Sequence, residues 1–349
     1  MNGCRIFNRH LVIWLGLCLL LACPPLAAEK VYELKFATLA PAGTTWMNLL
    51  QEWADEVREK SHGRLVFKLY PGGVQGDEPD VLRKIRFRQL QGGAFTGYGI
   101  GNFYSPARVL ELPFLFNDIQ EIDYVRKRFM PEIQQGYRDN GFEMLGWMEV
   151  GFVYFFSREP IYSIADLKKR RVWHWQGDPL GKAFFDASGI TPVPLSIIDV
   201  YTSLSRGLID TVYTPPLGAI AFQWFTKTKY ITNVPMANGI GSLVVSRRFY
   251  QDLPQDLQKL LKSTGTIIGE RLITATRKEN AESLDLLRKK GMKFVLNPED
   301  LDTAEVAEIS RKAGEILIHS GYIPKNVIDR VNVWLREYRA GSKPENDSL

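Results

Sequence analysis

The side chains that most often carry chemistry are sparse and scattered in this 349-residue sequence. Beyond residue 28 its histidines are His62, His174 and His319, with no second histidine at helical spacing. Its three cysteines, Cys4, Cys18 and Cys23, all fall near the start. A transition-metal site has no clustered ligand set here, and a disulfide framework beyond residue 28 is excluded. No Gly-x-Ser-x-Gly elbow occurs, which removes a common serine hydrolase geometry. Gly177-Asp-Pro-Leu-Gly181-Lys182-Ala183 is one residue short of a phosphate loop and lacks the hydroxyl after lysine. It reads as a turn into a helix. Gly97, Gly99 and Gly101 lack dinucleotide-binding spacing and are expected to shape a loop near a pocket. Neither a catalytic group nor a cofactor is expected.

Rings are what the sequence has in quantity: 8 Trp, 14 Tyr and 19 Phe. Trp173 and Trp175 flank His174, and strand alternation puts both indoles on one face and the imidazole on the other. Such a face either packs into a core or lines an apolar pocket. The charges say less. A chain that is 45% hydrophobic and 24% charged is an ordinary globular protein, so disorder is excluded. The formal charge of +5 falls to +3 without Arg5 and Arg9 of the leader, too little for a nucleic-acid partner. The clusters Arg83, Lys84, Arg86, Arg88 and Lys168, Lys169, Arg170, Arg171 read as solvated faces.

Residues 1–28 read as an export signal, with Arg5, Arg9 and His10 before the apolar run Leu11 to Ala22. Leu20-Leu21-Ala22-Cys23 resembles the lipobox of bacterial lipoproteins, which makes Cys23 a lipidation candidate. Cleavage after Ala28 would instead release a free protein, and both options stay open. The expected location is the periplasm, soluble or lipid-anchored. The length suggests two domains. Tyr32, Leu34 and Phe36 alternate as a strand, and Thr44 or Thr45 caps a helix whose apolar face is Trp46, Leu49, Leu50, Trp53, Ala54 and Val57. Leu65 to Tyr70 is the next strand, so the two should run parallel. A second helix is expected from Asp77 through Gln91, and separate strands over Phe142 to Trp147 and Gly151 to Ser157. Further strands at Arg171 to Trp175 and Thr191 to Leu195 alternate with helices, giving an α/β chain with mostly parallel sheets. From Pro254 to Gly291 apolar residues recur at helical spacing without proline, about 55 Å of helix. That is too long for one small domain. Gly265 and Gly269 are expected to bend it, and residues 342–349 form a polar tail.

Five segments then resemble, in consistent order from Tyr32 to Leu261, the solute-binding proteins of tripartite ATP-independent periplasmic (TRAP) transporters. They are Gly73-Val-Gln-Gly76-Asp-Glu78, Leu112-Pro-Phe-Leu-Phe116, Asp166-Leu-Lys168, Pro192-Val-Pro-Leu195 and Asp199-Val-Tyr-Thr-Ser-Leu-Ser-Arg-Gly-Leu-Ile-Asp210. The resemblance implies an α/β, two-lobe periplasmic-binding-protein-like fold with hinge strands and a long helix spanning both lobes. Lobe I would be residues 29–150 plus about 239–253, and lobe II residues 151–238 plus about 292–341, with the helix at 254–291. It implies no catalysis, a small-molecule ligand in the cleft, and the small and large integral membrane subunits as partners.

The departures from the family carry the ligand prediction. Family members usually place an arginine on the strand after the Asp-Leu-Lys turn to pair with a ligand carboxylate; here that position is Trp173. A second frequent arginine position is Val153, and a frequent asparagine position is Thr214. Burying an anion without a cation is costly. The expected ligand is therefore apolar or weakly polar, in a cleft drawn from Trp173, Trp175, Phe152, Tyr154, Tyr98, Tyr201, Tyr213, Thr214 and Trp224. One alternative is a carboxylate binder in which Arg171 or Arg247 replaces the lost charge. Others are an exported enzyme, a hydrolase using a serine or His174, and a lipid-anchored adaptor. The resemblance to an arginine-lacking branch also implies a tetratricopeptide-repeat partner.

Overall fold

The computed structural model describes residues 30–341, so the leader, Cys23 and the 342–349 tail lie outside it. Strand β1 (Tyr32–Ala37), the helix Thr45–Lys60 and β2 (Leu65–Tyr70) make the expected parallel unit, with Tyr32 opposite Leu65 and Ala37 opposite Tyr70. The Thr44 hydroxyl caps this helix by accepting from the Met47 N–H at 3.3 Å. Its apolar stripe buries Met47, Leu49, Leu50, Trp53, Ala54 and Val57, and the Trp53 indole donates to Thr264 Oγ1 at 2.9 Å. β3 (Gly92–Thr96) extends the sheet parallel to β1. The second helix is shorter than its sequence pattern suggested, Glu78–Arg86, and the chain turns where Arg88 takes a φ of 62°.

The two strands expected around residue 148 are one, β4 (Phe142–Ser157), 16 residues long. Its register shifts at Met144/Gly146 and Glu149/Gly151, and Gly151 at φ 104° absorbs the second shift as a bulge would. After it come β5 (Trp173–Trp175), β6 (Val193–Leu195), β7 (Thr211–Thr214), β8 (Tyr230–Thr232), β9 (Ala237–Ser246) and β10 (Lys293–Val295). Among the described residues one sheet runs β10-β8-β4-β9-β3-β1-β2 with β7 also on β4, while β5 and β6 pair separately. β4 is antiparallel to β7, β8 and β9, and β9 to β3. The sheet is thus mixed rather than mostly parallel, because β4 and β9 pass side by side in opposite directions through the middle of the fold.

The long helix is Gln255–Lys289, 35 residues and so about 52 Å. Gly265 and Gly269 have a packing reason. A Cβ on Gly265 would press into the Leu145 backbone, and one on Gly269 would meet the Trp147 carbonyl, so the helix lies directly on β4. About three turns beyond Gly269, Asn280 donates to the Val150 carbonyl and accepts from the Leu217 N–H, both at 3.0 Å. Among the described residues no helix is long and apolar enough to cross a membrane.

Candidate functional site

A cavity of about 170 Å³ opens between the ends of β1 and β3 on one side and β5 and β7 on the other, with β4 and the long helix behind it. The β5–β7 side is a stack of rings. Trp173 lies nearly parallel to Tyr213, with centroids 4.9 Å apart, and meets Trp224 edge-on at 5.3 Å. Trp224 in turn stacks on Phe222 at 5.3 Å, and Trp175 packs against Tyr98 at 5.0 Å. Strand alternation puts both indoles of β5 on this face, while His174 points away against Phe185. Burial holds the His174 imidazole below its usual pKa.

The indole donors are taken by the protein. Trp173 Nε1 donates to the Leu195 carbonyl at 3.0 Å, so this ring offers a ligand its face rather than its N–H. Trp175 Nε1 donates to both oxygens of Asp77 at 3.2 and 3.0 Å. Asp77 also accepts from the Ser196 hydroxyl at 2.5 Å and from the Ile197 N–H at 3.2 Å. The Tyr98 hydroxyl donates to the Gln176 carbonyl at 2.8 Å. These bonds join the β1–β3 side to the β5–β6 side across the mouth.

The β1–β3 side is ionisable and buried. Arg108, from the 3₁₀ segment Ser105–Glu111, binds Asp178 through two bonds, Nη1 to Oδ1 at 2.9 Å and Nη2 to Oδ2 at 3.1 Å. Its Nε faces Glu111 in an ion pair. Burial works against the Arg108 charge, yet the two carboxylates outweigh it and raise its pKa well above the usual value. Glu111 is pushed up by burial, against the pull of Arg108 and the Ile240 N–H, which donates to it at 2.8 Å. Glu78 accepts from the N–H groups of Thr96 and Gly99, each at 2.6 Å, and from the Thr96 hydroxyl at 2.9 Å. Burial, aided by Asp77, still pushes Glu78 up to about 8, so it is mostly protonated at neutral pH. Glu149 is neutralised from behind by Arg277 of the long helix at 2.8 and 2.7 Å. Among the described residues Glu78, Glu111, Glu149 and Asp178 face the cavity and Arg108 is its one cation.

The run Gly97-Tyr98-Gly99-Ile100-Gly101 makes this packing feasible. It forms one short helix whose glycines are each met by a polar group: Gly97 by the Glu111 carboxylate, Gly99 by Glu78 and Gly101 by the Tyr322 hydroxyl. A Cβ at any of the three would overlap that group. The glycines thus admit buried acids rather than a cofactor phosphate.

Of the residues singled out in sequence, Trp173, Trp175, Tyr98, Tyr213, Thr214 and Trp224 lie on the cavity wall, and five others lie off it. Phe152 and Tyr154 share the face of β4 opposite to Val153, and alternation gives the cavity Val153. Tyr201 stands off the buried Val200, Ser203, Leu204 face of its helix, exposed and under the Lys227 ammonium. Arg171 precedes β5, pairs with Asp210 at 3.2 Å and is 57% exposed, so it brings no charge to the cleft. Arg247 is off the wall too, at the start of the helix Arg247–Asp252. Sequence reasoning missed Arg108, Glu111, Glu78 and Asp178. A signal was there: Arg108 and Glu111 interrupt an otherwise apolar run, Ala107 to Leu112, that is buried throughout.

Fold and cleft define a two-lobe binding protein rather than an enzyme. The chain belongs to the DctP family, bacterial extracellular solute-binding protein family 7, whose profile matches residues 36–313, and it is of the TRAP type. It is similar to the sialic acid-binding periplasmic protein SiaP of Vibrio cholerae, 24% identical over 273 residues, or 74% of this chain and 81% of that one. The 2,3-diketo-L-gulonate-binding periplasmic protein YiaO of Escherichia coli is 23% identical over 261 residues, 72% of this chain and 76% of its own. In fold it is similar to DctP7, a Bordetella pertussis extracytoplasmic solute receptor binding pyroglutamic acid, with a TM-score of 0.79 and 19% identity over 88% of this chain and 100% of that one. Proteins of this kind bind small ligands outside the cytoplasm and work with membrane subunits.

Proposed function

We propose that this chain captures a small apolar or weakly polar solute between its lobes and delivers it to the membrane subunits of a TRAP transporter. The observation that carries the reading is the ring stack of Trp173, Tyr213 and Trp224, in which Trp173 holds the position that the family resemblance gives to a carboxylate-binding arginine. The wall supports it further, because a carboxylate entering there meets four acids and a single arginine already paired with two of them. SiaP and DctP7 are described as binding sialic acid and pyroglutamic acid, both acids, so this chain would differ from them in cargo. The test is to purify the protein from cells, denature it in organic solvent and identify what is released by mass spectrometry. A stoichiometric neutral compound absent from Trp173→Ala supports the reading; a stoichiometric small carboxylate refutes it.

The lobe limits belong to the same proposal: 29–150 with about 239–253, and 151–238 with about 292–341, bridged by the helix at 254–291. Hydrogen exchange with and without ligand should show protection rising along the cleft edges of both. A lipid on Cys23 and a tetratricopeptide-repeat partner are its outer parts. Intact mass of the membrane-extracted protein tests the first, and co-purification from the native host tests the second.

A further inference from the structure

We infer that Asp178 determines which solutes this cleft refuses: its carboxylate occupies the guanidinium fork of Arg108, so the protein holds its own anion where an acidic ligand would bind. The inference rests on the inter-lobe cleft being the ligand site. The two bonds from Nη1 and Nη2 to Oδ1 and Oδ2, at 2.9 and 3.1 Å, are the bidentate geometry by which arginine recognises carboxylates in general. The partners are 70 residues apart in sequence and come from opposite sides of the cleft. Arg108 lies on the 3₁₀ segment beside β9, and Asp178 in the turn after β5. Both are buried and both face the cavity. The rest of the guanidinium is also engaged, Nε with Glu111 and Nη1 with the Tyr322 hydroxyl at 3.4 Å.

Charge makes the occupation exclusive. One cation and two anions already share this buried cluster, and a third anion would enter without a partner. Take Asp178 away and Arg108 is balanced by Glu111 alone, so an entering carboxylate restores the original count and refills the fork. Asp178 has a second task, since its side chain caps the helix Pro179–Ser188 by accepting from the Leu180 N–H at 3.2 Å. Serine caps a helix about as well as aspartate but is too short to span the fork. Asp178→Ser therefore separates the two tasks.

The experiment is calorimetric titration of the dialysed protein and of Asp178→Ser with benzoate and with benzamide, a flat acid and its neutral counterpart. Benzoate affinity should rise at least about tenfold in Asp178→Ser while benzamide changes by less than about threefold. The gain should vanish in the Asp178→Ser, Arg108→Met double variant. An equal gain for both probes overturns the inference, because it would reflect space and not the freed guanidinium. So does a benzoate gain that survives loss of Arg108. Unchanged benzoate with benzamide still bound overturns it and leaves the cleft standing, whereas silence from both probes in every protein overturns the cleft reading along with it. Should Asp178→Ser fail to fold, Asp178→Asn, which keeps the shape and the cap and removes the charge, must show the same preference for benzoate.

Discussion

The two walls of the cleft are built on different physics. The β5–β7 wall is a stack of rings in which Trp173 turns its N–H to a backbone carbonyl and Trp175 to Asp77, and its energy is mostly apolar contact. The β1–β3 wall is a buried network of Glu78, Arg108 and Glu111, closed by Asp178 from across the mouth, in which each group is tolerable only through its partners. The first wall can lose a ring and keep its shape in part. The second fails as a unit. Selectivity can therefore reside in the charged wall even when most ligand contact is with the rings.

The strongest way to break that contrast is Arg108→Met, which strands Asp178 and Glu111 in the interior. It should destabilise the fold by about 3–5 kcal/mol at pH 7 in urea titrations. An unchanged midpoint would mean that the pairs do not hold this wall. Glu78 gives a signed pH test. Folded, it keeps its proton up to about pH 8, whereas unfolded it releases it near 4.5. The folded state binds the extra proton inside that window, so stability should fall as pH rises through it, by at most about 5 kcal/mol at about 1.4 kcal/mol per pH unit. Glu78→Gln should flatten that slope, and a slope that persists would place its source elsewhere. Gly97→Ala sharpens the comparison on the backbone, because the added methyl overlaps Glu111; a loss of about 1–3 kcal/mol by thermal melting is expected. The smallest effect is expected from Arg171→Ala, which removes an exposed pair with Asp210. Stability should move by less than about 1 kcal/mol, and co-purified ligand should stay the same. Loss of ligand in that variant would return Arg171 to the site.

Much of the architecture was legible because it is periodic. The β1–helix–β2 unit and the long helix each announce themselves through apolar spacing of 2 or 3.6 residues. The unity of β4 was not, since the sequence pattern splits it into Phe142 to Trp147 and Gly151 to Ser157, whereas Gly151 is a bulge inside a continuous strand. The ring wall was visible through Trp173 and its i+2 neighbour Trp175, and through Tyr213 and Thr214, which fall on β7. Phe152 and Tyr154 went astray by one residue, which on a strand is the whole width of the sheet. The charged wall stayed hidden for another reason. Its members at 78, 108, 111 and 178 have no common period, and only the tertiary fold makes them neighbours.

Asn280 of the long helix grips β4 at the Val150 carbonyl beside Gly151, and the same amide also holds the Leu217 N–H. A Cβ on Gly151 would strike that amide, so the bulge and the asparagine occupy one another's space. Opening the cleft cannot then be a free swing about a slack loop. A displacement at this bulge is shared with the 35-residue helix clamped to it, so strand and helix resist it together.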